Sequence, residues 1–237
     1  MRIQKLSVLL MSVLVACTPA VKTIPTETVV IPTATSTLVL PTPTITPTPP
    51  SASNDYSTHA ARIADYLLSQ QNADGAIPDA PGWDTVNQDS NMEYALIGLA
   101  AAYDYSHDPR YLLALEKGIR WLAAREEMTD PPWRGSWFYA YSSVPPYNPI
   151  PTSPGDPAIT DVRGVSATSA LFVYLLYLHS VVSGSNTLAI EYEDNARAAL
   201  DFVLEHNQSA DGFFYNSWQK SAADGKWHLW RFRYAAD

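Results

Sequence analysis

The feature that most restricts the fold of this chain is an alternation between two kinds of apolar segment from residue 57 onward. Ile63, Ala64, Leu67 and Leu68 recur at helical spacing against Arg62, Asp65 and Ser69, which predicts an amphipathic helix from about Ser57 to Gln71. Asn91 to Tyr105 holds Met92, Tyr94, Leu96, Ile97 and Leu99 to Tyr103 with almost no polar face. A helix apolar all round is expected to be buried on all sides. Asp108-Pro109 opens a second amphipathic helix reaching about Glu127, with aspartate as cap and proline in the first turn. Gly164 to Val182 is again apolar all round, and Thr187 to His206 again amphipathic. Another helix is expected to open near Trp230, because the aromatic and basic stretch Trp227 to Tyr234 reads as the start of a buried segment.

The amphipathic segments share an ending. The first runs into Gln71-Asn72-Ala73-Asp74-Gly75 and the last into Gln208-Ser209-Ala210-Asp211-Gly212, while the middle one leads to Gly135-Ser136-Trp137-Phe138-Tyr139. Helical pairs that cannot cover their own faces must stack on one another. The expectation is an all-α array of hairpins, one-sided helices outside and fully apolar helices inside.

Ahead of this region the chain has a different character. Arg2 and Lys5 precede the apolar run Leu6 to Val15, and Leu14-Val15-Ala16 leads into Cys17, the only cysteine. A basic start, a short apolar core and small residues describe an export signal. The run is too short to span a bilayer. Residues 18–53 are rich in Thr, Pro, Ser and Val without glycine, a composition suited to an extended spacer. The division is therefore 1–16 signal, 17–53 linker and 54–237 folded domain. A chain of formal charge −9, with no basic cluster, excludes a nucleic-acid surface.

Two resemblances follow. Leu-Val-Ala-Cys at 14–17 resembles the lipobox of bacterial lipoproteins, which implies cleavage before Cys17, lipidation of its thiol and an extracytoplasmic, membrane-anchored location. The outer helix, Asp-Gly turn, loop and apolar helix of 54–237, with the Asp108-Pro109-Arg110-Tyr111 junction, resemble the (α/α) toroids of six-hairpin glycosidases and polysaccharide lyases. Gln71 to Gly75 is also similar to the turns of terpenoid-cyclase toroids. Two hairpins and the start of a third imply a partial barrel, and a chain that continues past Asp237.

In such a barrel the loops entering the inner helices meet at one rim. The resemblance implies that three segments gather there: Trp83 through Asp89 and Glu93, Asp161 to Arg163, and Trp230 to Tyr234. Glycoside hydrolysis needs two carboxyl groups, and Asp161 with Asp84, Asp89 or Glu93 would supply them. Asp89 and Asp161 serve equally well as helix caps, and Glu93 as part of a capping box. Trp83, Trp137, Arg163, Trp230 and Arg231 would bind a polysaccharide or oligosaccharide. The alternatives are a glycan-binding protein without catalysis and a cyclase-like toroid. Seven Trp and fourteen Tyr would suit sugar stacking or the capping of a helical core alike. The five histidines and one cysteine form no metal-ligand spacing, and no cofactor motif occurs.

Overall fold

The computed structural model describes residues 56–79, 85–87, 91–150 and 158–230. Cys17, Trp83, Asp84, Asp89 and Arg231 lie outside the described residues, as do the expected signal and linker. The helices are α1 (Tyr56–Gln70), α2 (Asn91–Ser106), α3 (Pro109–Ala123), α4 (Ser166–Ser183), α5 (Thr187–Glu191) and α6 (Glu193–Phe202). The strands are β1 (Thr85–Asn87), β2 (Ala140–Ser142), β3 (Ile159–Arg163), β4 (Ser217–Ser221) and β5 (Trp227–Trp230).

The expected all-α class is incorrect. Of the described chain, 54% is helical and 15% is strand. β1 pairs with β2, and β3, β4 and β5 form an antiparallel sheet in that order. The segment expected to open a sixth helix is strand β5 over Trp227–Trp230. The β4–β5 hairpin turns at Asp224-Gly225, where Gly225 takes φ +65° and the Asp224 carboxylate accepts from the Lys226 amide at 3.0 Å. Asp-Gly between short aromatic runs is a hairpin signal; Trp227, Leu229 and Trp230 resemble a helix opening only when that turn is ignored.

The helix bounds follow the sequence closely, with one break. Asp108 caps α3 through its carboxylate, which accepts from the Arg110 amide at 3.0 Å, and Pro109 occupies the first turn. The expected fifth helix is divided at Tyr192 into α5 and α6. It then ends in a π-turn over Val203–Asn207, which carries one residue more than α-helical winding would.

The apolar helices are not buried on all sides. α2 buries Met92, Glu93, Leu96, Leu99 and Ala100; α4 buries Thr168, Ser169, Phe172, Leu175, Leu176 and His179. Each set follows i, i+1, i+4, i+7, i+8, which is a single stripe. Tyr94 and Tyr105 of α2, and Tyr174, Tyr177 and Val181 of α4, are exposed. The amphipathic α3 is the more enclosed helix, with Tyr111, Ala114, Leu115, Gly118, Ile119 and Trp121 to Ala123 buried. It packs against α1, α2 and α4 together. α4 has the length and mean hydropathy, 1.4, of a membrane-crossing helix, yet its buried stripe packs on α2, α3 and α6.

Candidate functional site

The three-stranded sheet positions the most distinctive cluster of side chains. Arg163 on β3 is opposite Trp218 on β4, which is opposite Leu229 on β5; two residues along, Asp161 is opposite Lys220, which is opposite Trp227. Directly paired residues share a face, so Asp161, Arg163, Trp218, Lys220 and Trp227 lie on the same side of the sheet. Trp133, from the short 3-10 turn Pro131–Trp133, stands over that side. Its ring centroid is 4.8 Å from Trp227, 6.0 Å from Trp218 and 6.2 Å from Phe202. All three tryptophans are half-buried, so each keeps part of its surface in solvent.

Arg163 lies beneath this group. Its guanidinium carbon is 4.9 Å from the Trp133 ring centre and 4.4 Å from that of Phe138, within the range of cation–π attraction. Its side chain is 7% exposed and its Nη2 donates to Glu127 Oε2 at 3.1 Å. Burial pushes the guanidinium down from its ordinary value, and Glu127 opposes that. Partial burial pushes the Glu127 carboxyl up. The hydrogen bonds from Thr129 Oγ1, the Thr129 and Asp130 amides and Arg163 outweigh it and hold the group at about 2. Glu127 thus stays ionised and fixes Arg163 between its rings.

Asp161 is half-buried on the strand. Burial pushes its carboxyl up, while the Val162 amide (2.8 Å), Arg163 and Lys220 pull it back. It does not cap α4. The residue at that position is Val165, without a side-chain cap. The register of the sheet is anchored below by Asn207, which is wholly buried in the π-turn. Its Oδ1 accepts from Trp218 Nε1 at 2.9 Å, and its Nδ2 donates to Gly164 O at 2.8 Å and Ser166 Oγ at 2.7 Å. The π-turn therefore orients one wall of the aromatic group.

The residues expected at a common rim are separated. Trp137 is 1% exposed, donates from Nε1 to Leu122 O at 2.8 Å and packs on Phe172, so it belongs to the core. Glu93 is fully buried on α2. Trp230 is 36% exposed but pairs with Ser217, on the side of the sheet away from Trp227. Among the described residues of the expected set, only Asp161 and Arg163 come together. Glu127 and Lys220 join them without a sequence motif to mark them. Trp133, Trp218 and Trp227 stand out in the sequence only as tryptophans at element ends.

No protein-family profile and no curated protein matches this chain.

Two other polar features deserve comparison with this cluster. Glu126 is 8% exposed; its Oε2 accepts from Asn195 Nδ2 at 2.8 Å while Oε1 has no partner among the described residues, and burial pushes its carboxyl up to about 8. A shallow cleft of about 120 Å³ beside α1 and α2 is lined by Tyr66, Leu67, Gln70, Ile77, Asp79 and Asn91. Asn91 donates to Asp79 across it at 3.2 Å. Among the described residues no group of three or more His, Cys, Asp or Glu is placed to hold a metal.

Proposed function

We propose that this protein is a surface lipoprotein that binds carbohydrate on the face formed by Trp133, Trp218 and Trp227. The observation that carries the reading is the grouping of three half-exposed indole rings around Trp133, with charged hydrogen-bonding groups beside them. Indole faces pack against the C–H surface of a sugar ring, and Lys220 and Asp161 offer a donor and an acceptor at its edge. Such a site works with small losses of entropy on binding because its parts are already fixed: Arg163 by Glu127, Trp218 by Asn207. Cys17 would carry the lipid and residues 18–53 would hold the domain away from the membrane.

Calorimetric titration of the protein with a panel of soluble oligosaccharides tests the binding reading. Replacing Trp133 or Trp227 with Ala should weaken the glycan that binds wild type by about tenfold or more. Affinity unchanged in both variants removes this face as the site. Metabolic labelling with a radioactive fatty acid tests the anchor, with label expected in wild type and none in Cys17→Ser.

A catalytic reading is kept alive by one observation. Asp161 has a carboxyl raised by burial and shares a sheet face with Arg163, a combination that serves either an acid for glycoside cleavage or charge neutralisation in a lyase. Asp161→Asn separates the two. Lost turnover with retained affinity assigns catalysis to Asp161, and unchanged turnover removes it.

A further inference from the structure

The shared ending of the amphipathic helices is a repeated interface, and three contacts define it. The first is made by a helix residue facing the next outer helix. Asp65 of α1 accepts from Tyr111 Oη at 3.0 Å and Arg110 Nη2 at 3.3 Å; Arg120 of α3 donates from Nη1 to Glu191 and Tyr192. The second comes six residues later. Gln71 donates from Nε2 to Ala114 O at 2.8 Å, and Glu126 accepts from Asn195 Nδ2 at 2.8 Å. The third is a glycine at positive φ. A Cβ on Gly75 would come 2.3 Å from Lys117 O, and one on Gly135 would come 1.9 Å from Ala198 O. Only glycine admits that approach of backbone to backbone. The receiving residues keep one spacing, Arg110-Tyr111, Ala114 and Lys117 on α3 against Glu191-Tyr192, Asn195 and Ala198 on α5 and α6.

α6 repeats the donor half of this interface. Asp201, Gln208 and Gly212 stand at the same three places, with one added residue supplied by the π-turn. Gly212 has φ +88°, and Ser209 and Phe213 close its turn as Asn72 and Ala76 close that of Gly75. Here, though, nothing described lies within 4 Å of a Gly212 Cβ, and Asp201 has no partner among the described residues. Gln208 reaches only its own turn, at 3.5 Å from Gly212 O, and Phe213 is 73% exposed.

The receiver half stands uncovered on α1. Counting back from the Asp65–Arg120 equivalence, His59, Arg62 and Ile63 take the places of Ala114, Lys117 and Gly118. Ala114 and Gly118 are buried beneath the preceding turn, as are Ala198 and Ala199 at the places of Lys117 and Gly118, while His59, Arg62 and Ile63 are exposed, Ile63 by 62%. The charges agree in part: the place of Arg110-Tyr111 falls on Asp55-Tyr56, which offers Asp201 a tyrosine and no cation. Asp211 and Glu205 flank the free turn, and Arg62 lies at the centre of the free face.

From these two unfilled halves we infer that the protein associates head to tail with a second copy of itself, the Gly212 turn of one copy seated on α1 of the next. An interface between different patches closes into a ring or extends as a filament, and stacked helical pairs gain stability from each neighbour added.

The test uses full chains carrying Cys17→Ser. One preparation also carries Arg62→Cys, the other Ala210→Cys; both positions are exposed. Mixed under mild oxidation, the two should form a disulfide-linked pair about tenfold faster than either alone, and Ile63→Asp on the first should abolish that advantage. Sedimentation of the Cys17→Ser chain should show mass rising with concentration. Equal rates in mixed and single preparations overturn the inference, as does a single sedimenting species of one-chain mass at every concentration, which would mean that another segment or partner covers these faces.

Discussion

Arg125 and Arg163 each lie between two aromatic rings, and the difference in their surroundings separates scaffold from surface. Arg125 sits 4.3 Å from the Trp121 ring centre and 4.4 Å from that of Tyr147. Its Nη1 donates to Trp121 O at 3.1 Å, and its Nε, like that of Arg163, is buried without a hydrogen-bond partner among the described residues. Burial pushes its guanidinium down, with Tyr147, Tyr141 and Asp74 acting against that. Both of its rings are closed in: Trp121 is 2% and Tyr147 6% exposed, each edge-on to the other. Arg163 has the opposite arrangement. An ionised carboxylate fixes its position, and the ring above it, Trp133, continues into two further indoles that reach solvent. The same pairing of cation and rings thus closes a core in one place and supports an open face in the other. Tyr141 joins them, edge-on to both Trp121 and Phe138, with its hydroxyl donating to Arg125 O at 3.1 Å.

The contrast is broken most forcefully at the closed site. Trp121→Ala should cost about 4 kcal/mol, because it opens a cavity between Tyr141 and Tyr147; denaturant unfolding measures it. Glycan affinity of the fraction that stays folded should not change. Equal losses of affinity in Trp121→Ala and Trp133→Ala would show that the two arginine sites are one unit.

A smaller effect depends on pH. Glu126 titrates near 8 when folded and near 4.5 when unfolded. Below 4.5 both states hold the proton and the difference vanishes. Between 4.5 and 8 the unfolded state releases it more readily, so stability falls as pH rises through that window. Glu126→Gln should therefore raise the melting temperature at pH 8 by several degrees and leave it unchanged at pH 4. A melting curve raised equally at both values would contradict the buried, protonated state.

Glu127 has the reverse sign. Its folded value is about 2, against 4.5 unfolded, so its contribution is complete above 4.5 and is lost as pH falls toward 2. Glu127→Gln should cost about 2 kcal/mol at neutral pH and nothing at pH 2, since it removes charged hydrogen bonds to Arg163 and the Thr129 amide. Last and smallest, Trp133→Ala should lower stability by only about 1 kcal/mol, because the ring is partly in solvent. A loss as large as that of Trp121→Ala would mean that Trp133 belongs to the core rather than to a surface built for a ligand.

Part of the helical layout was legible where a boundary carries local chemistry, as at α1 and α3 but not at the start of α4, which follows the uncapped Val165. Asp108-Pro109 must begin a helix, and Asp74-Gly75 must end the run that began near Ser57. The β-sheet was harder to read. β3 and β5 are five and four residues long, and short strands take their stability from partners far along the chain. Only Asp224-Gly225 gave a local sign of them. The site was read in part: Asp161 and Arg163 do share a face, but Trp137 and Glu93 went to the core, since an apolar helix and a Gly-aromatic turn say nothing about which neighbour will cover them.

The sequence by itself determined where helices start and stop and that three of them end in related turns, because caps, prolines and glycines act through their own backbone. Only the tertiary structure decided which stripe of each apolar helix is covered and which of seven tryptophans meet. It also decided which turn has a helix against its glycine. These outcomes depend on contacts between segments tens of residues apart, and burial there is set by the partner as much as by the residue.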